Sequence, residues 1–185
     1  MKIINSIKIK HNHWKHVVSN DQLRPVMNGV FFDLAKECMV ATNSHLLLIV
    51  PIEIEWSKEE NERLDEIEKK CILKNQSRIV PVELFDERKY MGNPKYYLSE
   101  TYYDFSDENY ARVYNGAECV FRCKYIDGIF PNYEAVIPES SESIETIGVD
   151  FSMVKKIFDA IPFKDKFLDF KFTAKNRAIK FSNRM

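Results

Sequence analysis

The chain has 185 residues and is close to electroneutral, with 27 Lys or Arg against 28 Asp or Glu. Hydrophobic residues make up 45% of it, which suits one ordinary packed core, or one domain plus a fragment of another, and excludes a disordered or fibrous chain. Only 5 residues are Gly while 13 are Phe and 9 are Tyr, which argues against Gly-rich phosphate loops and for aromatic, strand-rich packing.

In chain order, the alternation at the N-terminus predicts a strand over residues 3–9, followed by a short helix over 13–19. Strands are predicted at 26–34, 38–42 and 46–54. Between 55 and 75 the composition turns highly charged. Ser57 followed by Glu60 is a capping box, and acids lead while lysines trail, as a helix dipole favours. Leu64, Ile67 and Cys71 fall at helical spacing, so the segment reads as a solvated helical insertion. A second unit begins at Arg78, enters a helix over 82–90, and is stopped by Gly92 and Pro94. Strands are predicted at 95–98, 101–106, 111–114 and 117–126, with Asn115-Gly116 as a hairpin turn. After a soft linker at 139–143 come a strand at 144–149, a helix over 151–161 capped by Asp150 or Ser152, and strands at 167–173 and 178–181. Phe151, Val154, Ile157, Phe158 and Ile161 form the apolar stripe of that helix.

No apolar run reaches bilayer-spanning length, and the N-terminus lacks the apolar region of a signal peptide. A cytoplasmic location and no membrane partner are expected. Cys38, Cys71, Cys119 and Cys123 have no Cys-x-x-Cys spacing and read as buried free thiols. Alternation points Cys119, Phe121, Cys123 and Tyr125 to one strand face. His11, His13 and His16 lack a nearby carboxylate and read as a weakly basic helix surface, with no metal site. No pairing of nucleophile and base or of carboxylates indicates catalysis, and no cofactor is implied. From Phe151 onward nine Lys or Arg face three Asp, so positive charge gathers towards the C-terminus.

Two motifs carry a resemblance. The first is Leu23-Arg-Pro-Val-Met-Asn-Gly-Val-Phe-Phe32 followed by Val40-Ala-Thr-Asn-Ser-His-Leu-Leu-Leu48. The second is Gly128, Phe130, Pro131, Tyr133, Val136, Ile137 and Pro138 within residues 125–138. Together they resemble the middle domain of the bacterial sliding clamp, the β subunit of DNA polymerase III. That family carries a Thr-Asp-Gly-His-Arg-Leu-type turn and a Gly-x-Phe-Pro-x-Tyr-x-x-Val-hydrophobic-Pro segment. Here Asn43, Ser44 and Leu46 replace the usual Asp, Gly and Arg of the turn, and Ala135 replaces another basic residue.

The resemblance implies an α+β DNA-clamp fold of repeated β-α-β-β units, forming antiparallel sheets with helices on one face. Residues 1–138 would be a clamp-like domain and 139–185 a partial half-domain, together about half of a three-domain clamp subunit. It implies a non-catalytic scaffold in DNA replication or repair, binding double-stranded DNA non-specifically and capturing peptide motifs of a polymerase or repair protein. With about three half-domain units per chain, a ring would be a homo-oligomer. By matching position, Thr42, His45, Leu47, Pro131 and Val136 would line the peptide-binding cleft. Lys15, Arg24, Lys155 and Lys156 would contact phosphates. A clamp-fold interaction module that no longer encircles DNA is the alternative.

Overall fold

The computed structural model describes residues 1–4, 11–86, 101–137, 150–161, 168–171 and 179–183. The strands expected at 95–98 and 144–149, the linker at 139–143 and the boundary at 138/139 lie outside them. Strand β1 is Lys2–Ile4, helix α1 His11–Trp14, β2 Gly29–Asp33, β3 Cys38–Thr42, β4 Leu47–Pro51 and β5 Glu53–Glu55. Two helices follow, α2 Lys58–Arg63 and α3 Glu66–Gln76, then β6 Arg78–Pro81, β7 Thr101–Asp104, β8 Tyr110–Asn115 and β9 Glu118–Lys124. The C-terminal part adds α4 Phe151–Ala160, β10 Leu168–Lys171 and β11 Lys180–Asn183.

The strands form sheets ordered β5-β1-β7-β8-β9, β4-β3-β2-β6 and β10-β11. Every pairing among the described residues is antiparallel. Each unit places its first strand in the other unit's sheet: β1 pairs with β7, and β6 with β2. This exchange makes the first two units pseudo-symmetric, as the repeated pattern predicts.

Side chains alternate across β2, β3 and β6, so Val30, Phe32, Met39, Ala41 and Val80 point into the core and are fully buried. They meet Ile3 of β1, Tyr103 of β7, Ala111 and Val113 of β8, Trp14 of α1 and Ala160 of α4 in one cluster. Aromatic rings fill its centre. Phe32 packs edge-on to Phe105 at 4.7 Å and to Tyr103 at 5.6 Å, and Trp14 meets Phe85 at 5.2 Å. Burying so many large side chains supplies the main driving force, at roughly 25 cal/mol per Å² of apolar surface.

Several expected elements are shorter than their sequence signal. The helix at 13–19 is confined to α1, because Ser19 donates its N–H to the Met27 carbonyl at 2.8 Å instead of continuing the helix. The strand expected from 26 starts at Gly29, because Pro25 opens a 3-10 turn over Pro25–Asn28. The expected helix at 82–90 begins as a 3-10 turn over Val82–Phe85, and residues 87–100 lie outside the described set.

The charged insertion is two helices, each with its own capping box, Ser57 with Glu60 and Asp65 with Glu68. The second box starts a new helix just after Leu64, so the Leu64, Ile67, Cys71 stripe is broken. Ile67 and Cys71 are exposed, and Leu73 is the residue of α3 that is buried. Cys119 is exposed as well: the β8–β9 register slips between Val113 and Tyr114, leaving Val120 as an extra residue that turns Cys119 outward. Of the free thiols Cys38 alone is buried. Cys123 is half-buried, and desolvation pushes its thiol up to about 12. Asp150 caps α4 by accepting from Ser152 N–H at 2.8 Å, as expected. Phe151, at the first position of that helix, is exposed and does not join the stripe.

Candidate functional site

The face of the β4-β3-β2-β6 sheet turned away from the main core carries a second, smaller cluster. Cys38, Val40, Ile79, Phe130 and Tyr133 are buried there, with Val26, Phe31, Leu47, Ile126 and Ile137 packed around them. Leu47 lies in β4, whereas Phe130, Tyr133 and Ile137 come from the Phe-Pro segment more than eighty residues later. The two motifs therefore meet on one surface.

The turn between β3 and β4 is built by its own side chains. Thr42 pairs with Leu47 across the strands, and its hydroxyl donates to the Leu46 carbonyl at 2.8 Å. Asn43 Oδ1 accepts from the N–H groups of His45 at 3.0 Å and Leu46 at 2.9 Å. Ser44 takes φ 72, a left-handed conformation that Gly adopts more readily. Thr42 is buried, Leu47 half-buried and His45 exposed at the tip.

The later segment is held by a polar latch. Tyr133, itself buried, donates its hydroxyl to Asp33 Oδ2 at 2.9 Å and lies 3.7 Å from Cys38 Sγ. Burial and these two partners raise its phenol well above the ordinary range, so it stays protonated as a donor. Lys36 reaches Glu134 at 2.5 Å and Asp33 at 3.8 Å, and lies over the Tyr133 ring at 5.2 Å. With the segment pinned there, Pro131 and Val136 are exposed beside the cluster. The sequence signal for the latch was the tyrosine inside the Phe-Pro motif. Asp33 and Lys36 carried no signal of their own, because their role depends on the turn after β2.

Two close backbone approaches shape this surface. A Cβ on Gly29 would lie 2.5 Å from the Val80 carbonyl and 2.6 Å from Ile126 Cδ1. Gly128 has φ 131 and brings the segment against Val26. An open groove of about 470 Å³ runs at the β2–β6 end of the same face, lined in part by Phe31, Ile79, Ile126 and Phe130. None of Thr42, His45, Leu47, Pro131 or Val136 lines it.

The basic residues divide. Arg24 lies at the β3–β4 turn, donating to Ser44 Oγ at 3.2 Å with Asp21 at 3.9 Å, so it borders the cleft candidates. Lys15 is exposed just beyond α1, and Lys155 and Lys156 are exposed on α4, which packs beside α1. Lys155 is paired with Asp159 at 2.7 Å. Among the described residues no group of three or more His, Cys, Asp or Glu is placed to hold a metal ion. Among the same residues no helix is long and apolar enough to cross a membrane.

No protein-family model and no curated protein matches the sequence. Solved structures do. The sliding clamp, DNA polymerase III subunit beta, of Bartonella birtlesii, solved with griselimycin bound, superposes with a TM-score of 0.51 at 22% identity over 76% of this chain. The chain has the sliding-clamp fold. The β clamp of H. pylori, solved with diflunisal, matches at a TM-score of 0.46 with 19% identity over 76% of the chain. DNA polymerase III subunit beta of Pseudomonas aeruginosa matches at 0.42 with 18% identity over 77%. The chain spans about a third of each clamp's length, 35% to 36%. The exchanged first strands and two antiparallel sheets thus belong to a clamp-like body, as the motifs imply.

Proposed function

We propose that this chain is a non-catalytic, sliding-clamp-like scaffold in DNA replication or repair, which tethers a polymerase or other partner through an apolar peptide cleft. The meeting of the β3–β4 turn with the Phe-Pro segment carries this reading: Leu47 packs against the cluster that contains Phe130 and Tyr133. Thr42, His45, Leu47, Pro131 and Val136 then form the wall on which aliphatic or aromatic anchors of an extended peptide lose water. Ala135, where the family has a basic residue, makes that wall less charged than usual, whereas Leu46 packs against the main core. Lys15, Lys156 and, when released from Asp159, Lys155 supply phosphate contacts from the helix side, and Arg24 a further one from the turn. Ring closure requires several copies of the chain.

A second reading, a clamp-fold interaction module that does not encircle DNA, is favoured by the ion pairs that already engage Lys155 and Arg24. Anisotropy of a labelled peptide with a Leu-Phe anchor tests the shared part of both. Leu47→Glu should abolish binding without unfolding the protein. Unchanged binding by that variant would refute the cleft.

A further inference from the structure

The groove at the β2–β6 end of the outer face shares Phe31 and Phe130 with the cluster behind the cleft, but none of the five residues of the cleft wall lines it. Its floor is apolar: Phe31 stacks on Phe130 at 5.1 Å, with Ile79 and Ile126 alongside. Its wall is preorganised. Tyr125 donates its N–H to the Asn109 carbonyl at 3.1 Å and its hydroxyl to the Asp107 carbonyl at 3.2 Å, tying the loop that carries Glu108 to the segment that carries Asp127. Ile126 N–H donates to the Ile79 carbonyl at 2.9 Å, which fixes that segment on β6. A rigid groove spares a ligand the cost of ordering the protein. Ile129 stands 92% exposed at the rim, a large apolar side chain in water.

Charge decides the occupant. Arg78 lines the groove, but its Nη1 donates to the carbonyls of Asn75 at 2.5 Å and Ser77 at 2.9 Å, and its guanidinium lies over the Tyr125 ring at 5.5 Å. Glu108 and Asp127 are exposed and make no ion pair with any described residue. The groove thus presents one engaged cation and two open carboxylates around an apolar floor. Phosphate-bearing ligands are repelled by that arrangement, and a purely apolar peptide leaves the carboxylates unanswered.

We propose that this groove is a second docking site, for an extended partner peptide carrying an aliphatic or aromatic side chain next to Lys or Arg. The apolar anchor settles over Phe31 and Phe130 while the cation meets Glu108 and Asp127. The site goes beyond the cleft at Leu47 and does not depend on it.

The test is anisotropy on the Leu47→Glu background, where the cleft cannot take a Leu-Phe anchor, with a labelled Gly-Lys-Leu-Phe-Lys-Gly probe against a Gly-Glu-Leu-Phe-Glu-Gly control. The basic probe should bind and the acidic one should not. A Glu108→Gln, Asp127→Asn double variant should weaken the basic probe roughly fivefold to tenfold and flatten its salt dependence. Both carboxylates are exposed, so its melting temperature should match the parent's. On the parent chain the cleft adds its own binding of the Leu-Phe anchor, which both probes share. Equal binding of the two probes, no binding of the basic one, or parent-like affinity in the double variant would overturn the proposal. Loss of the basic probe in Leu47→Glu would move it to the cleft. Self-association that disappears in the double variant would assign the groove to a second copy of the chain instead.

Discussion

The two faces of the β4-β3-β2-β6 sheet are made by alternate residues of the same strands, yet they differ in what covers them. Towards the core, Val30, Phe32, Met39, Ala41 and Val80 are sealed by the second sheet and the helices. Outward, Phe31 and Leu47 are only half-covered, by the Phe-Pro segment and Val26, and Ile49 is 40% exposed. The first face has many partners per residue and serves stability. The second has few neighbours and apolar surface left over, which suits recognition.

The sharpest way to break that comparison is to truncate one residue from each face. Phe32→Ala should cost about 3–5 kcal/mol, because Phe85, Tyr103 and Phe105 would all be deprived of their central ring. Urea unfolding should show it, and a loss near 1 kcal/mol would mean the core relaxes to fill the space. Tyr133→Phe should cost less, about 1–3 kcal/mol, since it leaves the buried Asp33 without its phenol donor while keeping the ring. Peptide affinity should fall as well, because the latch aligns Pro131 and Val136. A Tyr133→Phe variant with parental stability would show that the segment is held by apolar contact alone.

How much of this was legible follows the same division. Strand alternation and the Phe-Pro motif showed the antiparallel fold and which turn and segment to compare, because both signals are local. The latch was illegible, since Asp33 and Lys36 become partners of Tyr133 and Glu134 only through a turn after β2. The split of α2 from α3 was visible in Asp65 and Glu68, but the spacing of Leu64, Ile67 and Cys71 suggested one continuous stripe. Arg24 looked like a phosphate ligand by charge, and its place at the cleft turn needed the geometry of Ser44. The groove by Glu108 had no signal at all, because its wall depends on a loop and a segment tied by Tyr125.

Acid should sharpen the contrast more gently. The Ser57 backbone N–H and the Met1 ammonium, both donating to the Glu60 carboxylate, hold that carboxyl below its usual range, and that stabilisation is present above its unfolded pKa. It is lost as pH falls through the lowered folded value, so the charged insertion should loosen first in an acid titration followed by amide exchange. Loosening on alkalinisation instead would contradict the sign. Smaller still should be the DNA effect. A Lys155→Glu, Lys156→Glu double change should reduce the salt slope of duplex binding by about one unit for each phosphate no longer neutralised, without altering sequence preference. Parental binding by that variant would favour the interaction module over the DNA-bound scaffold.

The central claim is that the half-covered face receives a partner peptide. Amide chemical-shift mapping of the labelled protein, titrated with a Leu-Phe-anchored peptide, tests it most directly. Perturbations should concentrate at residues 42–47 and 130–137 and vanish in Leu47→Glu, while Val30, Phe32 and Met39 on the sealed face stay unmoved. Shifts confined to α1 and α4, or no shifts at saturating peptide, would contradict it.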